Sequence, residues 1–431
     1  MPDFQIKQKE QVKTCVIFPN LSTSAVRLSP QARLEEACGL ATAIDLNVVY
    51  GEIINLKEIK PASYLGGGVI DRLKSVIRQQ DIELLIIDGT LTPIQQRNLE
   101  KKLETKVIDR TALILEIFGE RAHTREGTLQ VELAHLSYQR SRLVRSWTHL
   151  ERQRGGAGFL GGPGETQIEL DRRLIDDKIV KIKKELEKVK KTRALQRNSR
   201  KKIPYPVVAL VGYTNAGKSS LFNMLTNANV FAQNLLFATL DPTMRRIKLP
   251  SGREVILSDT VGFISDLPHE LIMAFRATLE EVLEADIIVH VRDIANADSQ
   301  AQKKDVLDVL ENLGLKNIKE QENYIELLNK SDLLDNETKQ RIQNHIKQRN
   351  NKILTSAVTG EGREHFLAMI DEKLAAGTLQ KNLTISAAQG DILAWLHGNA
   401  RILTKTPHND KIKLCVQISE SKWQQLENRL K

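Results

Sequence analysis

The stretch VVALVGYTNAGKSSLFNML (207–225) decides the fold: an apolar run, a loop bounded by glycines, then a helical pattern that starts at Lys218. Gly212, Tyr213, Thr214, Asn215, Ala216, Gly217, Lys218 and Ser219 have the spacing of a phosphate-binding loop between a strand and a helix. Backbone N–H groups gathered at a helix N-terminus face phosphate oxygens, and the helix dipole favours negative charge there. Lys218 is expected to neutralise the β- and γ-phosphates of a nucleotide and Ser219 to ligate Mg²⁺ through its hydroxyl, with Ser220 continuing the binding stretch. Such a unit belongs to an α/β fold with a mostly parallel sheet.

Downstream, strand patterns are expected at 206–211, 244–249, 254–259, 286–292, 323–328 and 352–356. The PSG turn (250–252) predicts a hairpin between the second and third, and so one antiparallel edge strand. Asp259, Thr260, Val261 and Gly262 end the third strand. Asp259 is placed to hold Mg²⁺ through a water, and the Gly262 N–H to sense a γ-phosphate. In FATLDPT (237–243), Phe237, Ala238 and Thr239 lie between the phosphate loop and Asp259, and Thr239 is expected to supply a second hydroxyl to Mg²⁺. Thr243 is its nearby competitor. Loops ordered by the γ-phosphate and released on hydrolysis make a switch.

Phosphate loops also serve ATPases and kinases, so the base needs its own residues. Asn329, Lys330, Ser331 and Asp332 follow the strand YIELL. A carboxylate there accepts from both N1–H and N2–H of guanine, whereas adenine lacks that donor pair and would leave the charge unpaired. Asn329 is expected to brace the loop and reach the other edge of the base, and the stem of Lys330 to cover the ring. Ser356 and Ala357, after the strand KIL, are placed to donate a backbone N–H to guanine O6. The catalytic set is then Lys218, Thr239 and Gly262. Phe263 stands where many small GTPases orient the attacking water with glutamine, which a phenyl ring cannot do. Slow intrinsic hydrolysis is therefore expected, with His269 as an alternative water-positioning group.

Upstream, residues 13–120 alternate strand-like segments (14–18, 47–53, 83–88, 106–109) with helical ones (about 30–46, 66–80 and 93–104), predicting a small open sheet. The run Gly66-Gly67-Gly68 reads either as a turn into a helix or as a close approach to a ligand. Next, Leu129, Leu133, Leu136, Leu143, Trp147 and Leu150 are spaced by fours and threes, with Arg140 interrupting the seam. Ile175, Ile179, Ile182, Leu186 and Val189 repeat the pattern. Between the two lies RGGAGFLGGPGE (154–165), whose glycines and proline break a helix. A helical hairpin with a glycine-rich tip (155–164) follows, each arm on the order of 30 Å long. From Lys178 to Lys202 there are twelve Lys/Arg against Glu185 and Glu187, a local +10 that exceeds the net +9 of the whole chain. That arm is either a solvated face or a surface for nucleic-acid phosphates.

The 431 residues suit four units: an N-terminal α/β domain (1–129), the hairpin (130–203), the nucleotide domain (204–378) and a small C-terminal α/β domain (379–431) with a helix near 387–402, a strand at 411–419 and a last helix. No apolar stretch reaches the length of a membrane span, and the first residues have no apolar signal core. Cys15, Cys38 and Cys415 are scattered singly, and the nine histidines show no metal-ligand spacing; His290, inside a strand, is expected to be packed. A cytoplasmic monomer is expected.

The motifs GYTNAGKSSLFN (212–223), FATLDPT, DTVGFI (259–264) and NKSD resemble those of the HflX family of translation-factor-related GTPases. More diagnostic are IDRTALILEIFGERAHTREGTLQVELAHL (108–136) and RGGAGFLGGPGETQIELDRR (154–173), which generic GTPases lack. The resemblance covers nearly the whole chain; Ser220 replaces a common Thr, and Thr128 stands where Lys is usual. It implies a GTPase with GTP/GDP and Mg²⁺ at its site, which binds the large ribosomal subunit and splits or rescues stalled ribosomes, notably under stress. It also implies that the tip reaches ribosomal RNA near the peptidyl-transferase centre. The alternative is an RNA-remodelling protein with a second nucleotide site in residues 1–129.

Overall fold

The computed structural model describes residues 11–21, 28–153, 163–200, 205–226, 236–237, 239–240, 242–267, 282–347, 351–376, 378–386, 389–408 and 411–419, with residues 423, 426, 427 and 430 beyond. Residues 155–162 of the expected tip (155–164), Ala238, His269 and most of the last helix lie outside them. Pro163 and Gly164 of that tip are instead the first residues of a helix, where a proline's missing N–H has no helical acceptor to lose.

The N-terminal part runs β1 (Lys13–Leu21), α1 (Pro30–Thr42), β2 (Asn47–Leu56), α2 (Gly67–Gln80), β3 (Leu84–Ile87), α3 (Pro93–Leu103), β4 (Lys106–Asp109) and α4 (Arg110–Arg121). The strands form a parallel sheet in the order β2-β1-β3-β4. Side chains of β1 alternate between its faces. Cys15 and Ile17 join Leu73 and Ile77 of α2 and Leu99 of α3, whereas Val16 joins Ala37 and Leu40 of α1 and Ile114 and Ile117 of α4. Local chemistry starts the helices: Ser29 caps α1 ahead of Pro30, and Thr92 with Gln95 forms a capping box ahead of Pro93. Gly66 is the N-cap of α2, so the triple glycine is a turn into a helix. Helix α4 was not singled out by the sequence pattern.

The hairpin consists of α5 (Arg125–Gln153) and α6 (Pro163–Arg200), of 29 and 38 residues, or about 44 and 57 Å. Both exceed the expected 30 Å, because helix continues past the apolar seam at each end. Leu136, Ile179, Ile182 and Leu186 are buried together, backed by Leu129, Leu133 and Ile175. The pairs Arg140–Asp176 (3.0 Å) and Arg125–Glu185 (3.9 Å) show that the arms are antiparallel, and the first gives the seam-breaking Arg140 a partner. Asp109 roots the hairpin: it caps α4 through Ala112 N (2.9 Å) and accepts the Tyr138 hydroxyl of α5 (2.9 Å).

The nucleotide domain contains β5 (Val207–Gly212), α7 (Lys218–Thr226), β6 (Thr243–Lys248), β7 (Glu254–Asp259), β8 (Ile287–Asp293), α8 (Ser299–Asn312), β9 (Tyr324–Asn329), α9 (Asn336–Ile346), β10 (Lys352–Leu354) and α10 (Arg363–Ala376). The sheet order is β10-β9-β8-β5-β7-β6, parallel except for the expected β6–β7 hairpin. Val208 and Leu210 pack with Leu221 and Phe222 of α7 and Phe366 of α10. Ala209 and Val211 face Val306 and Leu310 of α8, in the same core that holds α1 and α4. One apolar core therefore welds the two sheets. Inside this domain His290 is packed, its Nδ1 2.8 Å from the Tyr324 hydroxyl, and burial pushes its pKa down to about 3.

The C-terminal part departs from expectation. It holds β11 (Thr378–Ser386), α11 (Gly390–Asn399), β12 (Arg401–His408) and β13 (Lys411–Ser419), with antiparallel order β11-β13-β12. Two strands were missed, and residues 401–402 of the expected helix belong to β12. Lysines interrupt the alternation in both missed strands, which only pairing with β13 makes regular. Among the described residues no helix is long and apolar enough to cross a membrane.

Candidate nucleotide-binding site

The site forms where β5 ends between β7 and β8, the carboxyl-end crevice in which α/β sheets bind ligands. Three backbone positions permit the loop. A Cβ on Gly212 would lie 2.2 Å from Val291 O of β8, and one on Gly217 (φ +90°) would lie 2.3 Å from Asn329 Nδ2. Between them Asn215 is left-handed (φ 59°). Lys218 Nζ turns back into the loop and donates to Tyr213 O (2.8 Å) and Gly212 O (3.1 Å). Burial pushes its pKa down to about 8, opposed by nearby Asp259.

Three oxygens from distant segments converge beside it. Ser219 Oγ donates to Asp259 Oδ2 (2.7 Å), Thr239 Oγ1 donates to the same oxygen (3.0 Å), and the two hydroxyls are 2.8 Å apart. The other oxygen, Asp259 Oδ1, is buried without a hydrogen-bond partner, and burial raises the carboxyl's pKa. Two hydroxyls and a carboxylate with spare acceptor capacity are hard oxygen donors of the kind Mg²⁺ takes, so the residues fit that ion. Thr243, the competitor to Thr239, instead pairs with Asp259 along the β6–β7 ladder.

Gly262 packs tightly against the phosphate loop: a Cβ there would be 2.8 Å from Thr214 Cγ2 and 3.1 Å from Lys218 Nζ. Thr260 Oγ1 donates to Leu210 O (2.6 Å), and Val261 is buried. Phe263 exchanges backbone bonds with the loop, accepting from Thr214 N (2.7 Å) and donating to Gly212 O (3.1 Å). Its ring is in the shared core with Tyr213, Phe237 and Ile264, which removes it from solvent.

The base-reading residues surround the far side of the loop. Asn329 Nδ2 donates to Ala216 O (2.9 Å), and its Oδ1 accepts Ala357 N (3.0 Å). One N–H and one lone pair of this amide thus brace two loops, as expected, and its second N–H has no part in these bonds. The Ala357 N–H, expected to meet guanine O6, donates here to Asn329 Oδ1, a bond that O6 would share or replace. Lys330 is left-handed (φ 65°), with its Nζ 2.7 Å from Asp293 Oδ2. Asp332 Oδ1 accepts from Ser356 Oγ at 2.5 Å.

Sequence reading missed the groups that tie this site to the N-terminal part. The Tyr213 hydroxyl meets the Glu36 carboxylate, lies 2.7 Å from Ser265 Oγ and accepts Ser265 N (2.9 Å). Arg110 reaches Glu36 (2.5 Å), Asp88 (2.6 Å) and Ser265 O (3.0 Å), and Arg33 joins Asp88 (3.1 Å) to Asp266 (2.8 Å). Burial, then Glu36, raises the Tyr213 pKa well above the usual phenol value. Phe237 meets Phe118 of α4 edge to face (centroids 4.7 Å). The available signal was a set of charged residues, Arg33, Glu36 and Arg110, on otherwise apolar helix faces.

A phosphate loop needs a carboxylate such as Asp332 opposite it only when the base is guanine, so fold and site together define a P-loop enzyme that hydrolyses GTP. Residues 31–119, 121–200, 207–330 and 341–431 match, in turn, family models described as GTP-binding GTPase N-terminal, GTP-binding GTPase Middle Region, 50S ribosome-binding GTPase and HflX C-terminal domain. The chain is 46% identical to a GTPase HflX of Magnetococcus marinus over 94% of its length and 92% of that protein. It is 42% identical to the GTPase HflX of Escherichia coli over 83% of its length and 85% of that protein. The chain belongs to the HflX family of GTPases.

Proposed function

We propose that this GTPase is a nucleotide-controlled switch that engages the large ribosomal subunit in the cytosol and splits or rescues stalled ribosomes, notably under stress. The observation that carries the reading is the antiparallel hairpin, whose α6 arm holds the exposed lysines 178, 181, 183, 184, 188 and 191. A rigid basic arm tens of ångströms long meets polyanion phosphates at a distance from the nucleotide. The segment between its arms, rich in glycine, lets a backbone approach RNA closely. A match to a family described as a 50S ribosome-binding GTPase supports the same partner.

At the nucleotide, Lys218 neutralises the β- and γ-phosphates, and the loop from Gly212 to Ser220 cradles them through backbone N–H groups. Ser219 and Thr239, with Asp259 through a water, would hold Mg²⁺, which offsets charge developing on the phosphate oxygens. Asp332 selects guanine, held in place by Ser356. The Gly262 N–H turns toward the γ-phosphate. Thr214 and Phe263 pair beside Gly262, and in this reading triphosphate binding opens that pairing. Phe263 cannot orient water, and intrinsic hydrolysis is slow until a partner reorders the loop. The chain acts as four units, 1–129, 130–203, 204–378 and 379–431, and as a monomer.

The test is GTP turnover with and without purified large subunits across a salt series, on the full chain and on one lacking 156–162. Subunits should accelerate turnover of the full chain, with strong loss at high salt, and the deletion should keep GTP binding while losing acceleration. No acceleration at low salt would refute the ribosomal reading.

A further inference from the structure

We propose that Glu361 is a positioning residue for guanine selection, acting through the two loops that carry Asp332 and Ala357. The inference rests on the assignment of Asp332 as the base reader and goes beyond it by naming what holds that reader in place.

Glu361 lies outside both base-reading motifs, in the loop between β10 and α10. Its Oε2 accepts Ser331 Oγ and Lys339 Nζ, each at 2.7 Å, and its backbone carbonyl accepts Ser356 N at 3.1 Å. One residue therefore ties three segments together: the turn that carries Asp332, helix α9 and the loop that carries Ala357. Ser331 N closes the frame by donating to Thr355 O (3.0 Å). The loop is shaped to present this carboxylate, since Gly360 and Gly362 are both left-handed (φ +79° and +76°) and a Cβ on Gly362 would lie 2.3 Å from Leu354 O. The turn it restrains contains the left-handed Lys330, a conformation that persists in a non-glycine residue only where the surroundings over-determine it. With Lys339 and Ser331 as partners, the carboxyl is held below the usual carboxylate range despite its partial burial.

Guanine is read by a carboxylate and a backbone N–H on separate loops, so their spacing sets how well both contacts form together. A charge-assisted bond that fixes this spacing acts on base affinity and leaves the phosphate chemistry alone. Loss of Glu361 should therefore raise KM and leave kcat unchanged, and should weaken discrimination against inosine triphosphate, which lacks the N2 amino group.

The experiment compares the full chain with E361A, E361Q and K339M. Release of a fluorescent GDP analogue, kcat and KM for GTP, and the ratio of GTP to inosine triphosphate efficiency are measured for each. E361A should release GDP about tenfold faster, raise KM by about tenfold with kcat within about twofold, and lose a similar factor of discrimination, as expected for one lost charge-assisted bond. E361Q keeps an acceptor for Ser331 and should fall nearer the wild type. If E361A does not fold, K339M leaves Glu361 in place and should speed release by a few-fold. Wild-type release and discrimination in E361A, or in K339M where E361A is unfolded, would overturn the proposal, as would a fall in kcat at constant KM. Asp332→Asn separates this from the underlying assignment. A gain of xanthosine triphosphate use alongside a silent E361A would sink the Glu361 role alone, whereas no such gain would sink the base assignment.

Discussion

Tyr213→Phe removes one oxygen atom from the chain and should change both stability and nucleotide preference. The hydroxyl it deletes is buried between Glu36 of α1 and Ser265, just beyond Gly262. Ser265 N–H loses its acceptor; a buried donor left unsatisfied costs about 1 to 3 kcal/mol. Glu36 loses a hydrogen bond of the charged kind, about 1.5 to 3 kcal/mol, but keeps Arg110. Ser265 Oγ keeps Asp305 (2.8 Å), so its hydroxyl is not orphaned. The losses share partners and do not add, which leaves about 2 to 4 kcal/mol. Denaturant unfolding of the full chain should register that loss directly. The same contacts flank the Thr214–Phe263 pairing, whose opening on triphosphate binding is proposed above. Their loss should shift the preference from GDP toward a non-hydrolysable GTP analogue by roughly 30- to 1000-fold. Titration of both nucleotides, with single-turnover hydrolysis in the absence of any partner, is the assay; hydrolysis should quicken. Unchanged unfolding energy together with an unchanged GDP-to-GTP ratio would show that Tyr213 does not hold the loop.

Other expectations follow from single residues. Lys218 has a folded pKa near 8, below its ordinary 10.5, so the unfolded chain binds more protons between those values and stability of the nucleotide-free protein should rise with pH across that window. The gain is about 3 kcal/mol, and Lys218→Met should flatten it while abolishing nucleotide binding; a variant with the same pH profile would refute the burial of a strained ammonium. Asp332→Asn should weaken GTP and admit xanthosine triphosphate, whose 2-oxo group suits an amide donor, as read by competition binding. Gly217→Ala adds a Cβ about 2.3 Å from Asn329 Nδ2 at φ +90°, and calorimetry should find both GDP binding and stability reduced. Ile182→Ala empties part of the hairpin seam and should cost about 2 to 5 kcal/mol of its stability, seen as faster amide exchange in α5 and α6 with GDP affinity kept.

How much of this was legible in advance differed by element. The strand–loop–helix at 207–225 was clear because glycine, lysine and serine at fixed offsets are a local requirement of backbone geometry. The hairpin was clear because a 3.5-residue repeat survives in sequence whatever it packs against. The C-terminal sheet was obscured: β11 and β12 alternate only imperfectly, and pairing with β13 supplies what their own pattern lacks.

Within the site, sequence alone determined which residue types stand at the phosphate loop, at Asp259 and at Asp332, and hence that the nucleotide is guanine. Only the tertiary structure brings the Thr239 hydroxyl to Ser219 and Asp259, which favours it over Thr243 as the proposed ligand. It also supplied the partners through which Asn329 braces two loops, and brought Glu36, Arg110 and Glu361 to positions no spacing rule reveals. The physical reason is range. A motif encodes contacts among neighbours along one backbone, whereas the Tyr213 hydroxyl and Glu36 are 177 positions apart and meet only when two sheets share a core.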